Sequence, residues 1–173
     1  REKFDASLER LKNRYTDVGY AFANIEPDVH TDPNTRRVKI VYKVNKGKLA
    51  YIERIDIVGN DRTRDKVVRR ELFITEGDLF SGPGIRRSKA QLMRRGYFDE
   101  VSITWARGSS DELVVVVIEV TERQQGQFIV GVGFSSLENF VGTAQISHNN
   151  LFGYGWKFSL QGELGRYRTN ATM

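Results

Sequence analysis

The most restrictive stretch of this chain is Leu113-Val114-Val115-Val116-Val117-Ile118-Glu119-Val120, a β-branched run with a single polar interruption. Such side chains lose rotamer freedom in a helix and fit a pleated surface, so the run predicts a strand covered on both edges. What precedes it predicts its neighbour. Gln91-Leu92-Met93-Arg94-Arg95 reads as the end of a helix and Gly96 as its stop, because glycine takes the left-handed conformation without a Cβ clash. Residues 97–105 then alternate, with Tyr97, Asp99, Val101, Ile103 and Trp105 expected on one side of a half-buried strand. Arg107-Gly108-Ser109-Ser110-Asp111-Glu112 is a turn. The two strands form a hairpin whose first member is a candidate sheet edge.

The same order occurs earlier. Phe4, Leu8, Leu11 and Tyr15 fall on one face of a helix that stops at Gly19. Residues 21–30 read as a strand, Thr31-Asp32-Pro33-Asn34-Thr35 as a turn, and residues 37–44 as a second, alternating strand. Gly19-Tyr20 corresponds to Gly96-Tyr97 at an offset of 77 residues. A repeat of that size is a duplicated small domain rather than a solenoid turn.

The second copy has more upstream. Residues 51–60 form a strand ending in a Gly59-Asn60 turn. Thr63 or Asp65 is expected to cap a helix through Leu72 with Val67, Val68 and Leu72 on its apolar side. Ser81-Gly82-Pro83 opens another helix with Ile85, Leu92 and Met93 as core candidates. The complete unit is β-α-α-β-β, a three-stranded mixed sheet packed on two helices, and the fold class is α+β. The first copy begins inside its second helix, so the chain reads as a fragment with three parts: 1–48, 49–124 and 125–173.

Composition narrows the chemistry. Without cysteine there is neither a disulfide framework nor thiol chemistry. No apolar run is long enough for a transmembrane helix, and no signal peptide is visible. The net charge of +5 is dispersed among acidic residues and reads as a solvated surface. His30 and His148 lack motif-spaced partners and read as surface or loop residues. Gly82-Pro83-Gly84 is a helix start, since no Lys-Ser/Thr follows to make a phosphate cradle. The carboxylates are scattered, without an acid–base pair. No enzyme, metal or cofactor is implied.

After residue 126 the composition changes: half of the chain's 16 glycines lie between Gly126 and Gly165. In the segment 127–135, Phe128, Val130, Val132 and Phe134 share one face, opposite Gln127, Gly131, Gly133 and Ser135. In 140–148, Phe140, Ala144 and Ile146 oppose Val141, Thr143, Gln145 and Ser147. In 156–167, Trp156, Phe158, Leu160 and Leu164 oppose Lys157, Ser159, Gln161 and Glu163. Strands of about ten residues with one apolar and one polar face fit a transmembrane barrel. They also fit the amphipathic sheet of a soluble protein, and periodicity alone favours the latter.

The motifs, taken in order, decide differently. Ile55-Asp56-Ile57-Val58-Gly59-Asn60, Val68-Arg69-Arg70-Glu71, Glu76-Gly77, Arg95-Gly96-Tyr97-Phe98-Asp99-Glu100-Val101 and Val120-Thr121-Glu122-Arg123 together resemble a POTRA domain, the periplasmic repeat of outer-membrane assembly proteins. Gly131-Val132-Gly133-Phe134 and Asn150-Leu151-Phe152-Gly153-Tyr154-Gly155 resemble the first barrel strand and first periplasmic turn of the BamA family. The resemblance covers nearly the whole chain: the end of a penultimate POTRA domain, the last POTRA domain, and about three antiparallel strands of a truncated transmembrane β-barrel. Three strands cannot close a barrel of at least about eight, so this tail is not expected to span a membrane by itself.

The resemblance implies a non-enzymatic outer-membrane assembly factor, with its POTRA domains in the periplasm, that receives unfolded β-barrel precursors and promotes their insertion. Main-chain pairing with an open strand edge would suit many different clients. The candidate client edge is Tyr97, Phe98, Val101, Ile103 and Trp105, with its repeat at 21–30. The candidate gate strand is Phe128, Val130, Gly131, Val132, Gly133 and Phe134, whose glycines weaken packing and permit bending. Glu76 and Arg69 are the implied docking positions for a BamD-like lipoprotein, a carboxylate there being able to pair with a partner arginine. Outer-membrane lipid would be a further partner of the full-length protein. A two-partner secretion transporter has the same architecture and is the alternative. A nucleic-acid-binding α+β module would need a basic patch interleaved with aromatics, which does not stand out.

Overall fold

The computed structural model describes residues 2–32, 37–135, 139–165 and 169–172. The sequence-expected turn at Pro33-Asn34-Thr35 and the strand end at Tyr167 lie outside the described residues. The elements are α1 (Glu2–Thr16), β1 (Asn24–Asp32), β2 (Arg37–Asn45), β3 (Tyr51–Val58), α2 (Asp65–Arg69), α3 (Gly82–Arg95), β4 (Phe98–Arg107), β5 (Leu113–Glu122), β6 (Gly126–Ser135), β7 (Asn139–Leu151), β8 (Trp156–Leu164) and β9 (Thr169–Thr172). Strands β1 and β2 make a two-stranded sheet, β3-β5-β4 a three-stranded one, and β6-β7-β8-β9 a four-stranded one. The apolar run therefore does become the central strand, and the first strand of its hairpin an edge.

The orientation of the three-stranded sheet follows from its ends. Tyr51 at the start of β3 donates its N–H to the carbonyl just before β5, at Glu112 (2.8 Å). Gly59 just past β3 lies against Val120 near the end of β5. Starts lie beside starts and ends beside ends, so β3 and β5 run parallel. In β4 and β5 the Arg123 N–H reaches Tyr97 O (2.9 Å) and the Gly108 N–H reaches Leu113 O (2.9 Å), which is an antiparallel hairpin. The sheet is mixed, as expected.

Two compact units divide the chain. The first comprises residues 1–56, 72–90 and 103–118. Its buried apolar residues are Ala21, Ala23, Ala50, Ile52, Ile55, Ile74, Phe80, Ile85, Val114, Val116 and Ile118. The face Phe4, Leu8, Leu11 and Tyr15 of α1 is half-buried, and the Phe4 ring stacks on Tyr42 at 6.2 Å. Ser81 Oγ accepts the Gly84 N–H at 3.1 Å and so caps α3. Strand β1 begins at Asn24 rather than residue 21, because Ala21 and Ala23 are already buried in the turns that leave α1.

The second unit comprises residues 57–71, 91–102 and 119–173. It buries Val67, Val68, Leu92, Tyr97, Phe98, Val101 and Val120. Here the sequence expectations need three corrections. Helix α2 ends at Arg69, not Leu72, and its N-cap is Arg64, without a side-chain capping bond. Neither Thr63 nor Asp65 caps it; the Thr63 hydroxyl is taken by Asn150 (2.8 Å) and the Asp65 carboxylate by Arg69 (2.6 Å). Met93 is exposed, one residue past the face that buries Leu92. Finally, Tyr97, Phe98 and Val101 are all buried while Asp99 and Glu100 are exposed. In a pleat Phe98 and Val101 point to opposite faces, so burial does not follow one side and the expected alternation over 97–105 is broken.

Candidate functional site

A sheet edge is a row of backbone donors and acceptors, and whether it can accept a strand depends on what covers it. Along β3 the cover is built in. The Ile52 N–H donates to Asp78 O (2.9 Å), and the Gly77 N–H to Ile52 O (2.7 Å). Tyr51 and Leu79 form an antiparallel bridge. Farther along, Glu76 Oε1 accepts the Ile55 N–H at 2.9 Å. Glu76, the first docking candidate, is exposed, and its carboxylate helps to close this edge. Arg69, the other docking candidate, pairs with Asp65 one helical turn back.

Strand β4 is different: among the described residues its only neighbour in the sheet is β5. Of the five client-edge residues, Tyr97, Phe98 and Val101 are buried, so their side chains cannot receive a client; Ile103 and Trp105 are half-buried. Trp105 is anchored, its Nε1–H donating to Ala21 O (3.1 Å) and its ring lying 5.1 Å from Phe80. Beside it, a groove of about 620 Å³ is lined by Lys12, Phe22, Asn24, Ile103, Thr104 and Arg107 among others. Residues 103–107 of this edge thus run into a groove shared with the segment 21–24 of their own unit.

The four-stranded sheet is a second open surface. Phe128 opposes Ile146, Val130 Ala144, Val132 Gly142 and Phe134 Phe140. On the next strand Ile146 opposes Leu160 and Gly142 opposes Leu164. The expected apolar faces therefore merge into one, and it is bare: Val132 is 88% exposed, Phe140 79%, Phe128 71% and Leu164 66%. Burying such residues is worth about 1.5–3 kcal/mol each, so a water-exposed face of this extent marks a surface meant for another phase or partner. Within this sheet β6 pairs only with β7, and its far edge is free among the described residues. A fourth strand, β9, is present where three were expected.

Sequence reasoning missed two clusters. The first is Glu71, whose side chain is 5% exposed and takes Arg95 at 2.8 Å and Gln91 at 2.9 Å. Burial alone would raise its carboxyl, but those bonds and the charges of Arg95 and Arg70 outweigh it and hold the group below the usual carboxylate range. The second cluster gathers around the turn between β7 and β8. Asn150 donates to Thr63 Oγ1 and accepts the Gly155 N–H (2.7 Å). Tyr97 Oη donates to Gly155 O (3.2 Å), and the Arg64 N–H to Gly153 O (3.1 Å). Glu122 accepts the N–H groups of Arg62 and Thr63, at 3.0 and 2.6 Å. Gly153, at φ 71°, is required: a Cβ there would stand 2.0 Å from Arg62 O. The signal for this clasp was the motif from Asn150 to Gly155 itself.

The family model for POTRA, described as a surface antigen variable number repeat, matches residues 1–47 and 50–123. The chain belongs to the POTRA family. Two POTRA repeats are thus followed by the four-stranded sheet. Similar curated proteins include the outer membrane protein assembly factors BamA of Nitratidesulfovibrio vulgaris, 36% identical over 87% of this chain, and of Neisseria meningitidis, 31% identical over 100%. The chain spans only 19% and 22% of their lengths. A crystal structure of Haemophilus ducreyi BamA lacking POTRA domains 1–3 superposes with a TM-score of 0.78 at 26% identity, covering 95% of this chain and 31% of that one. CdiB of Escherichia coli, at 18% identity and a TM-score of 0.54, shares the fold. The narrower resemblance to BamA rests on matches that run through both the POTRA repeats and the strands after them.

Proposed function

We propose that this chain belongs to an outer-membrane β-barrel assembly factor and spans the end of its POTRA array (1–48 and 49–124) and its first barrel strands (125–173). The POTRA repeats lie in the periplasm, the strands in the outer membrane, and the work is done without catalysis. Unfolded barrel precursors are received by β-augmentation. The observation that carries this reading is the contrast between edges: β3 is closed by residues 76–79, whereas among the described residues β4 and β6 each have one strand neighbour. At β4 the client would pair through backbone, contacting Ile103 and Trp105 rather than the buried residues before them. At β6 the client would extend the row of Phe128, Val130, Val132 and Phe134. Gly131 and Gly133 leave that strand light enough to bend. The proposed docking of a lipoprotein subunit at Glu76 and Arg69 would exchange their present partners for intermolecular ones.

The test is amide hydrogen exchange with and without a peptide carrying the last strand of an unfolded barrel precursor. Protection gained in β4 or β6 and not in β3 is the expected result. Unchanged exchange in both at saturating peptide would sink strand augmentation by this part of the protein.

A further inference from the structure

The bare apolar face ends in an unusual corner. At the start of β8, Trp156 stands 60% exposed and stacks on Tyr154 at 5.0 Å with 21° between the rings. Phe152, in the same turn, is 75% exposed and held at φ 54°. Against the Tyr154 ring lie two cations: the Arg64 guanidinium 3.9 Å from its centroid and Lys66 Nζ at 5.0 Å. Arg70 reaches Tyr154 O at 3.5 Å. The exposed charges of residues 61–70 are Arg62, Arg64, Lys66, Arg69 and Arg70 against Asp61 and Asp65; Asp65 is paired with Arg69, and Arg70 lies 3.5 Å from the buried Glu71.

Each part of this order has a physical meaning. Amphipathic aromatic rings settle where hydrocarbon meets water, and a barrel carries such rings at the ends of its apolar band. A cation over an aromatic face is held in position while its N–H groups stay free at the edges, where they can meet a phosphate. Apolar strand face, aromatic ring and cation succeed one another as acyl chain, interface and headgroup do. The chemistry that complements all three at once is an anionic phospholipid.

We propose that Arg64 and Lys66, set by Tyr154, form a headgroup contact for anionic phospholipid in the leaflet facing the POTRA repeats. The role is to fix the depth of the first strands and of α2 at the membrane surface. It rests on reading β6–β9 as lipid-facing barrel strands.

The full-length protein is reconstituted in bilayers of phosphatidylcholine with phosphatidylglycerol. A photo-crosslinking phenylalanine analogue replaces Phe152 or, in a separate sample, Val132. Adducts at 132 with either lipid report that the strands face lipid. Adducts at 152 are expected to be enriched in phosphatidylglycerol over the bilayer composition. Each cation near an anionic surface multiplies local anionic-lipid occupancy by about five, so Arg64→Gln with Lys66→Gln should remove most of that enrichment. Arg64→Lys with Lys66→Arg should keep it, which separates charge from folding. Adducts at 132 combined with unenriched adducts, or none, at 152 would overturn the headgroup contact alone. Enrichment unchanged in the double glutamine variant would do the same. No lipid adduct at 132 would overturn the barrel reading, and the contact with it.

Discussion

Asn150 Nδ2 donates to Thr63 Oγ1 at 2.8 Å, tying the end of β7 to the loop before α2. The same side chain accepts the Gly155 N–H, so one buried amide holds both a loop and the turn that follows it. Removing it leaves buried partners unsatisfied, which costs about 1–3 kcal/mol per group. Asn150→Ala is expected to lower stability by roughly 2–3 kcal/mol in denaturant titration. It should also speed hydrogen exchange at the Gly155 amide. A loss within about 0.5 kcal/mol would show that the clasp is replaceable by water.

Glu71 makes a pH-dependent contribution whose sign is fixed by its neighbours. Arg95 and Gln91 hold the folded carboxyl below its ordinary value of 4.5. The stabilisation is therefore complete above that ordinary value and is lost as the pH falls through the folded one. Glu71→Gln should cost about 2 kcal/mol at pH 7 and flatten the decline of stability below pH 4.5. Denaturant midpoints across the acid range would show it. Parallel acid limbs in the two proteins would assign the decline to other carboxylates.

Much of this architecture is legible in the residues. The β-branched run from Leu113 to Val120 can only be a covered strand, and β5 is central. The spacing of Phe128, Val130, Val132 and Phe134 names the apolar face of β6 before any partner is known. What periodicity alone could not decide is the phase that face meets, since water-backed and lipid-backed sheets alternate alike. The break in β4 was illegible for another reason. Phe98 is buried and Asp99 exposed, the reverse of the sides that alternation assigns them, and Asp99 is held outside by Arg123, a partner 24 residues away of which local alternation carries no trace. The roles of Glu76 and Glu71 were hidden in the same way: one closes a strand edge through Ile55 and the other sits buried beside Arg95, though both look like surface acids in the chain.

Trp105 joins β4 to the segment after α1 through one hydrogen bond, from Nε1–H to Ala21 O. Trp105→Phe keeps an aromatic ring beside Phe80 while removing the donor and trimming the indole to a phenyl. The expected loss is about 1 kcal/mol, seen as a lower denaturant midpoint with an unchanged slope. Trp105→Ala should cost at least about 3 kcal/mol, because the ring also fills the space beside Phe80. Equal losses would mean that the ring contributes nothing beyond its donor.

The two glycines Gly59 and Gly133 should respond in opposite directions to the same substitution. Gly59 sits at φ 82°, and a Cβ there would stand 2.1 Å from Val120 O, a backbone atom that cannot rotate away. Gly59→Ala therefore combines left-handed strain with a clash across the sheet, and a loss above about 3 kcal/mol is expected. Gly133 lies within β6 with nothing inside 4 Å of its Cβ position and no positive φ. Gly133→Ala only reduces the freedom of the unfolded chain and stiffens an edge strand, so a gain of about 0.5 kcal/mol is expected. In hydrogen exchange that gain appears as roughly two-fold slower opening of the β6 amides. If β6 must bend to receive a client, the stiffer strand should also insert precursors more slowly. Faster insertion by Gly133→Ala would show that the glycine weakens client pairing rather than permitting it.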